Sequence, residues 1–160
     1  MTLVFNASPL IVLAKSGLLD GFLQLADDVF IPRAVAEEIS CTKNPNDPAR
    51  CWLAQRPSLI HSPASISPFI LAWDLGAGES AVIALTAERP EAIAVLDDLA
   101  ARRCAQALGL KIVGTLGLVL MAKRAGIIPS ASQALDAIVA AGLFISSRHL
   151  ETIRIQAGEQ

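Results

Sequence analysis

The chain has 160 residues and a formal net charge of −2, and 53% of its residues are hydrophobic. This length suits one domain with a substantial core, so we expect a single domain over residues 1–160. The weak charge excludes a strong overall basic field, so any contact with nucleic acid must depend on local patches. Few charges and many apolar residues indicate a sheet covered on both faces, together with an apolar surface kept for a partner.

Three cysteines, Cys41, Cys51 and Cys104, are odd in number and lack the CxxC spacing of a zinc site. We expect reduced and mostly buried thiols in a cytoplasmic protein. We also expect no secretion signal, because polar residues interrupt the apolar start of the chain. The apolar segment 112–122 is too short to span a bilayer, so no membrane contact is expected.

Short apolar runs alternate with helical patterns along the chain. The predicted strands cover residues 3–5, 29–31, 92–96 and 111–113, with 144–145 as a candidate fifth strand. The predicted helices begin at Pro9, at Pro32 and after Asp98, and cover residues 79–87, 116–124, 132–141 and 147–157. Ser8 is predicted to cap the first helix. Five X-Pro pairs within residues 41–68 disfavour a long helix and predict a loop or lid.

Strands that alternate with helices predict an α/β fold with a central parallel sheet of four to five strands and helices on both faces. In such sheets, ligands bind at the carboxyl ends of the strands. Asn6, Asp97 and Thr115 follow the ends of three predicted strands. We therefore expect their side chains at one edge of the sheet.

Two further carboxylates are expected at this edge. Glu38 lies beside the buried stripe of the helix that begins at Pro32, and Glu79 lies on the inward stripe of its own helix. Carboxylates that cluster repel each other unless a cation lies among them, so these residues, with Asn6 and Asp97, predict a divalent metal site. Asp98 is interpreted as a helix cap or as a residue that holds a coordinated water, although Asp97 and Asp98 could exchange roles.

Simpler explanations exist for the same residues. Glu38 could be a solvated helix charge, Glu79 a first-turn carboxylate that favours the helix dipole, and Asn6 an Asx turn. The run 76–81 formally fits the GxGxxA dinucleotide pattern, but we discount it because no good strand precedes it. His61 and His149 are expected on the surface.

Three residues are candidate contacts for a substrate phosphate. Ser8 offers a hydroxyl group, although capping is its expected role, and Thr115 offers a second hydroxyl group. Arg102 offers a guanidinium group, although arginines on helices that flank a sheet are more often solvated. The assignment of Ser8, Thr115 and Arg102 therefore depends on the metal site beside them.

Several segments together resemble the PIN domain superfamily. They are Asn6-Ala7-Ser8-Pro9-Leu10-Ile11, Ile31-Pro32-x-x-Val35-x-x-Glu38, Gly78-Glu79, Leu96-Asp97-Asp98 with Ala101-Arg102, and Gly109-Leu110 through Gly114-Thr115-Leu116-Gly117. More narrowly, the chain resembles a branch of small PIN-like proteins with an Asn-x-Ser-Pro-Leu start, often viewed as VapC-type toxins. The similarity covers nearly the whole chain.

The resemblance implies a three-layer α/β/α sandwich, Mg²⁺ or Mn²⁺ held by carboxylates, and hydrolysis of RNA phosphodiesters by metal-activated water. It also implies a homodimer and a small antitoxin partner. By position, Glu38, Glu79 and Asp97 match acidic residues of the superfamily. Asn6 stands where most PIN nucleases have Asp, and Thr115 stands where many have a further Asp or polar ligand.

The leading hypothesis is a PIN-type, metal-dependent endoribonuclease, the toxin of a toxin–antitoxin pair. The alternative is a catalytically weak or inactive PIN-like module that binds RNA or protein, because an amide at Asn6 removes one negative charge from the metal ligands. A phosphoacceptor domain is disfavoured, because no acidic pair follows Asn6 and no Lys stands at the expected end of the fifth strand.

Overall fold

A computed structural model describes residues 1–159 of the chain. The strands are β1 (Thr2–Phe5), β2 (Asp28–Pro32), β3 (Ile60–His61), β4 (Ala92–Val95) and β5 (Lys111–Val113). They form one sheet in the order β3-β2-β1-β4-β5, and every pairing in it is parallel. This sheet, flanked by helices, confirms the predicted α/β class and the parallel sheet.

The helices occupy both faces of the sheet. They are α1 (Ala7–Lys15), α2 (Leu19–Leu23), α3 (Arg33–Ser40), α4 (Pro48–Ala54), α5 (Pro68–Leu71), α6 (Ala77–Ala87), α7 (Leu99–Ala107), α8 (Thr115–Arg124), α9 (Ala131–Ala140) and α10 (Ser147–Gln156), with a 3-10 turn at Pro57–Leu59. The chain passes from β1 to β2 and on to β3 in one direction across the sheet. It passes from β3 to β4 and on to β5 in the opposite direction. Because parallel crossovers are right-handed, the two sets of helices lie on opposite faces.

Packing agrees with this division. Helix α6 contacts β1, β2 and β4 and lies beside α7, whereas α1 packs against α4 and α9. Helix α3 contacts both α1 and α6, so it joins the two sets. In the central strand β1, Leu3, Val4 and Phe5 are completely buried, as expected for a strand covered on both faces. Burial of each such side chain stabilises the fold by roughly 1.5–3 kcal/mol. The core therefore fixes β1 and α6, the two elements that carry Asn6 and Glu79.

The prediction of a loop over residues 41–68 is wrong, because this segment contains α4 and β3. Helix α4 begins after Asp47, whose side chain accepts hydrogen bonds from the N–H groups of Ala49 (3.0 Å) and Arg50 (3.1 Å). Pro48 occupies the first turn, where its missing N–H has no partner to lose. An Asp-Pro pair thus starts a helix here instead of preventing one.

The candidate fifth strand at residues 144–145 is also wrong. Helix α9 ends at Ala140, and the chain then turns at Gly142, whose φ is +111°. Phe144 is 94% exposed, and neither residue of the pair is in a strand. The fifth strand is β3, which pairs with β2 at the far edge of the sheet.

Two smaller expectations are corrected. Asn6, not Ser8, stands at the N-cap position of α1, and Ser8 lies exposed in the first turn. Cys41 and Cys51 are exposed, so only Cys104 fits the prediction of buried thiols, and all three are free. Among residues 1–159, no helix is both long and apolar enough to cross a membrane.

Candidate functional site

Asn6 ends β1 at the carboxyl edge of the sheet. Its backbone stays extended, and its N–H donates to the carbonyl of Val95 in the neighbouring strand at 3.1 Å. The side chain makes no helix-capping hydrogen bond. Instead, Nδ2 donates to Oε1 of Glu79 at 3.3 Å, and the residue is only 3% exposed. An Asx turn therefore does not account for Asn6.

Glu38 and Glu79 reach the same place from two different helices. Val35 and Ile39 anchor α3 in the core and leave Glu38 exposed at the margin of the buried face. Partial burial raises the pKa of the Glu38 carboxyl, and the negative charge of Glu79 raises this pKa further. The two carboxylates are thus close enough to repel each other.

Gly78 provides the space in which these side chains meet. A Cβ atom on Gly78 would lie 3.0 Å from Oε2 of Glu38 and 3.3 Å from Oδ1 of Asn6. Gly76 plays the same part for Glu79, whose carboxylate occupies the space that a Cβ atom would need there. In the sequence, these two glycines fit only a weak dinucleotide pattern. The signal that could have identified them is a pair of glycines beside a first-turn carboxylate.

The side-chain oxygen of Asn6 is the least satisfied polar atom of this group. Oδ1 is buried and has no hydrogen-bond partner among residues 1–159. A buried acceptor in this state costs about 1–3 kcal/mol. The ionised carboxylates of Glu38 and Glu79 are acceptors only, so they cannot satisfy it. Two carboxylates and one amide oxygen are the donors that a hard divalent cation accepts, so the residues present fit such an ion.

Asp97 lies in a second cluster, at the end of β4. Its Oδ1 accepts a hydrogen bond from the N–H of Thr115 at 2.7 Å, and its Oδ2 accepts one from the Thr115 hydroxyl at 2.6 Å. Thr115 is completely buried. The Thr115 hydroxyl therefore holds Asp97 in place. Because it has no exposed surface, it cannot make the phosphate contact that was predicted for it.

The residues next to Asp97 have structural partners. Asp98 caps α7 by accepting a hydrogen bond from the N–H of Ala101 at 2.8 Å, the first of its two predicted roles. Arg102 is half-buried, and its Nη1 donates to the carbonyl of Leu96 at 2.9 Å. A Cβ atom on Gly114 would lie 2.9 Å from Asp97 Oδ1 and 3.0 Å from Arg102 Nη1, so this glycine also keeps a crowded place open.

The predicted residues thus form two groups, one beside the end of β1 and the other beside the end of β4. Residues Asn6 and Asp97 follow β1 and β4, which pair directly. Within residues 1–159, however, no three Asp, Glu, His or Cys side chains lie close enough to hold one metal ion. The expected convergence of three carboxylates is therefore not found: Glu38 and Glu79 lie together with Asn6, and Asp97 lies apart with Thr115.

A comparison with protein families decides the classification. A family model described as PIN domain matches residues 2–159, nearly the full length of the chain. The chain belongs to the PIN domain family. No curated protein matches it. The PIN domain match includes all the elements that carry the two clusters, and PIN domains have a nuclease-like fold and generally use divalent metal ions.

Two open cavities lie beside the clusters of this PIN domain. The first has a volume of about 370 Å³, and Ser8, Lys15 and Glu38 line it. The second has a volume of about 360 Å³, and Asp97 and His149 line it. Leu143 lines both cavities, so the segment after α9 separates them.

The sequence did not predict Lys15 and His149 as neighbours of the candidate site. His149 is exposed, as expected, but its Nδ1 lies 3.0 Å from Oγ of Ser146 and its ring faces the same cavity as Asp97. No sequence signal places His149 there, because α10 is distant from Asp97 along the chain. Lys15, one turn beyond Ile11 on α1, carries such a signal, because both follow Ser8 along one helix face.

Proposed function

We propose that this PIN domain is a divalent-metal-dependent endoribonuclease that acts as the toxin of a toxin–antitoxin pair. The observation that supports this most directly is the buried Oδ1 of Asn6, which has no hydrogen-bond partner within residues 1–159 and lies beside Glu38 and Glu79. A cation would satisfy this oxygen and relieve the repulsion of the two carboxylates at once. The family adds the expectation that the substrate is RNA.

Asn6, Glu38 and Glu79 would hold the metal ion, Mg²⁺ or Mn²⁺. A bound ion of this kind supplies charge neutralisation at the phosphate and lowers the pKa of an attacking water. These three side chains contribute two negative charges, because the amide of Asn6 is neutral. Oxygens of an RNA phosphate would complete the ligand set, so we expect metal and RNA to strengthen each other's binding.

Asp97 would act as the acid–base group. It lies in the second cluster, where Thr115 orients both of its carboxylate oxygens. The anion-binding side chains would be Ser8 and Lys15, which line the cavity beside Glu38. Arg102 uses one N–H on the carbonyl of Leu96 and retains further donors for a phosphate. In this arrangement the scissile phosphate lies between the two clusters, along the carboxyl ends of β1 and β4.

The test is hydrolysis of RNA by purified protein with Mg²⁺ or Mn²⁺, with and without EDTA. Asp97→Asn should reduce the rate roughly 100-fold or more, the contribution typical of an acid–base group. Asp98→Asn is the matched control, because Asn caps a helix as well as Asp does and activity should remain. Hydrolysis that survives Asp97→Asn, or that resists EDTA, contradicts the proposal.

A second candidate is a catalytically weak or inactive module that binds RNA or protein. The observation that favours it is the separation of Asp97 from Glu38 and Glu79, which leaves Asn6 with only two carboxylates. This candidate predicts RNA binding without hydrolysis stimulated by metal, even after Asn6→Asp. The same hydrolysis assay on the Asn6→Asp protein therefore distinguishes the two functions.

A homodimer and a small antitoxin are the proposed protein partners. Phe69, Leu71 and Leu99 are large apolar side chains that lie exposed and would be available for such contacts. Light scattering on the purified protein tests the dimer. A neighbouring reading frame that encodes a small protein, and co-purification of that protein with this chain, would test the antitoxin.

A further inference from the structure

The cavity of about 360 Å³ beside Asp97 needs a hydrogen-bond donor before a phosphate can occupy it. Three polar side chains line this cavity, Asp97, Ser146 and His149, and the rest of its lining is apolar. Both oxygens of Asp97 accept hydrogen bonds, so this carboxylate offers a phosphate no donor and repels its charge. A side-chain donor must therefore come from Ser146 or His149.

Ser146 uses its hydroxyl group on His149. At the N-cap of α10, Oγ of Ser146 accepts a hydrogen bond from the backbone N–H of His149 at 3.3 Å. The same Oγ lies 3.0 Å from Nδ1 of the His149 ring. A hydroxyl group has one proton to donate, and among residues 1–159 Nδ1 is the acceptor within its reach. Donation to Nδ1 places the ring proton of neutral His149 on Nε2.

Nε2 of His149 remains free to bind a ligand. Within residues 1–159, the ring makes its one hydrogen bond through Nδ1, so Nε2 has no partner there. A protonated ring also carries an N–H at Nε2, so the donor exists in either charge state. Because His149 is exposed and lines the cavity, a ligand with acceptor oxygens can reach this N–H.

We infer that His149 binds the substrate of the proposed nuclease, with Nε2–H donating to a non-bridging oxygen of the RNA phosphate that approaches Asp97. Ser146 is the positioning residue, because its hydroxyl group keeps the proton on Nε2. The inference rests on the proposed function and adds a substrate-binding residue to it. His149 also supplies the phosphate donor that the buried Thr115 does not provide.

The first experiment measures the position of the ring proton. Two-bond ¹H–¹⁵N NMR spectra, recorded above about pH 8 where imidazoles are neutral, distinguish a proton on Nε2 from one on Nδ1. His61 is the internal reference, because its Nε2 lies 3.1 Å from the carbonyl oxygen of Ser58, which only accepts. Both rings should carry the proton on Nε2. A short RNA added in EDTA should shift the Nε2 signal of His149 and leave that of His61 in place.

Ser146→Asp tests the positioning role. Asp caps a helix as well as Ser does, but a carboxylate only accepts hydrogen bonds. In this variant, the proton of the neutral His149 ring should therefore move to Nδ1, which the same NMR spectra detect. A proton that stays on Nε2 contradicts the role given to Ser146.

Two substitutions at His149 distinguish its ring nitrogens. The side-chain nitrogen of Gln reaches the position of Nε2, whereas that of Asn reaches only the position of Nδ1. His149→Gln should keep most of the RNA affinity in EDTA and most of kcat/KM with Mg²⁺ or Mn²⁺. His149→Asn should lower each roughly 10- to 100-fold, the range for a hydrogen bond to a charged group. Tm should stay the same in both variants, because the position is exposed. His61→Asn is the matched control and should change neither quantity, because His61 lines neither site cavity.

The outcomes separate this inference from the proposed function. Equal losses in the Gln and Asn variants, or no loss in either, overturn the inference, and hydrolysis by the unmodified protein then leaves the nuclease standing. A ring proton on Nδ1 in the unmodified protein also overturns the inference. An RNA-dependent shift of the His149 signal and a difference in affinity between the two variants, without any hydrolysis, keep the phosphate contact and remove the nuclease.

Discussion

Asn6 donates a hydrogen bond from Nδ2 to Oε1 of Glu79 at 3.3 Å, and this bond decides which way the amide faces. A carboxylate only accepts hydrogen bonds, so the NH₂ group must face Glu79 and the oxygen must face away from it. That oxygen points to the place where a Cβ on Gly78 would lie, near Glu38. The amide thus presents its acceptor on the side where the second carboxylate lies.

Asn6→Asp should increase the response of the protein to metal. The substitution adds a third negative charge beside Glu38 and Glu79, so Tm should fall in EDTA. Mg²⁺ or Mn²⁺ should then increase Tm by more than in the unmodified protein. Differential scanning fluorimetry at several metal concentrations measures both effects. Asn46→Asp, at an exposed position, is the control. An equal metal response in the two variants contradicts a metal site at Asn6.

Glu38→Gln should stabilise the protein while it abolishes hydrolysis. Folding raises the pKa of Glu38 above the ordinary value of 4.5, so ionisation of this carboxyl opposes folding as pH rises above that value. The gain in Tm over the unmodified protein, measured in EDTA, should be small near pH 4 and larger near neutral pH. Glu37→Gln, at the exposed neighbouring position, should change neither Tm nor activity. A gain that is independent of pH contradicts the explanation by charge.

Gly78→Ala should remove the metal response with only a small loss of stability. The added methyl group would lie 3.0 Å from Oε2 of Glu38 and 3.3 Å from Oδ1 of Asn6, so these oxygens must move apart. Gly21→Ala is the matched helical control, because its nearest neighbour, Cγ2 of Ile127, would lie at an ordinary 3.8 Å. The control should stabilise the protein by up to about 1 kcal/mol and leave activity intact. Full activity in Gly78→Ala would show that the oxygens beside it do no chemistry.

Thr115→Val should lower activity through Asp97. The variant keeps the backbone N–H that donates to Oδ1 of Asp97 but loses the hydroxyl that donates to Oδ2. The free energy of unfolding should fall by about 1.5–3 kcal/mol, the usual contribution of a hydrogen bond to a charged group. Thr115→Ser keeps a hydroxyl group and should restore most of kcat. A Ser variant as impaired as the Val variant would point to packing instead of the hydrogen bond.

Glu159 should stabilise the fold in a manner that depends on pH. Its carboxylate accepts hydrogen bonds from the N–H groups of Ala131 and Ser132, both at 2.8 Å, and pairs with Lys123 at 3.0 Å. The N–H donors at Ser132 and the other partners hold the pKa of Glu159 well below its usual range. Because the folded-state pKa is lowered, the stabilisation is present above about pH 4 and is lost as pH falls further.

Chemical denaturation at several pH values checks the role of Glu159. Glu159→Gln should be less stable than the unmodified protein near neutral pH, and the difference should shrink in acid. Glu151→Gln, at an exposed position of α10, should show no such trend. A difference that persists at low pH would mean that the carboxylate charge is not responsible.

The fold class could be predicted from local patterns of apolar residues in the sequence. The predicted strands at residues 3–5, 29–31, 92–96 and 111–113 coincide with parallel strands, although β4 ends one residue early, at Val95. A strand buried on both faces needs apolar side chains in succession, as β1 shows. Of the two roles predicted for Asp98, the structure confirms the helix cap, because an Asp directly before a helix can accept a hydrogen bond from an N–H group of the first turn. The loop predicted over residues 41–68 failed, because Asp47-Pro48 is equally a helix start.

The site depended on distances that no local pattern contains. Sequence alone placed Asn6, Glu38, Glu79 and Asp97 near one edge of the sheet, because parallel strands bring their carboxyl ends together. Only the tertiary structure shows that Asn6 lies with Glu38 and Glu79, because α3 packs against α6. It also shows that Asp97 is hydrogen-bonded to Thr115, because β4 pairs with β5. The sequence determines which side chains are polar. The distance between two carboxylates depends on how the helices that carry them pack together.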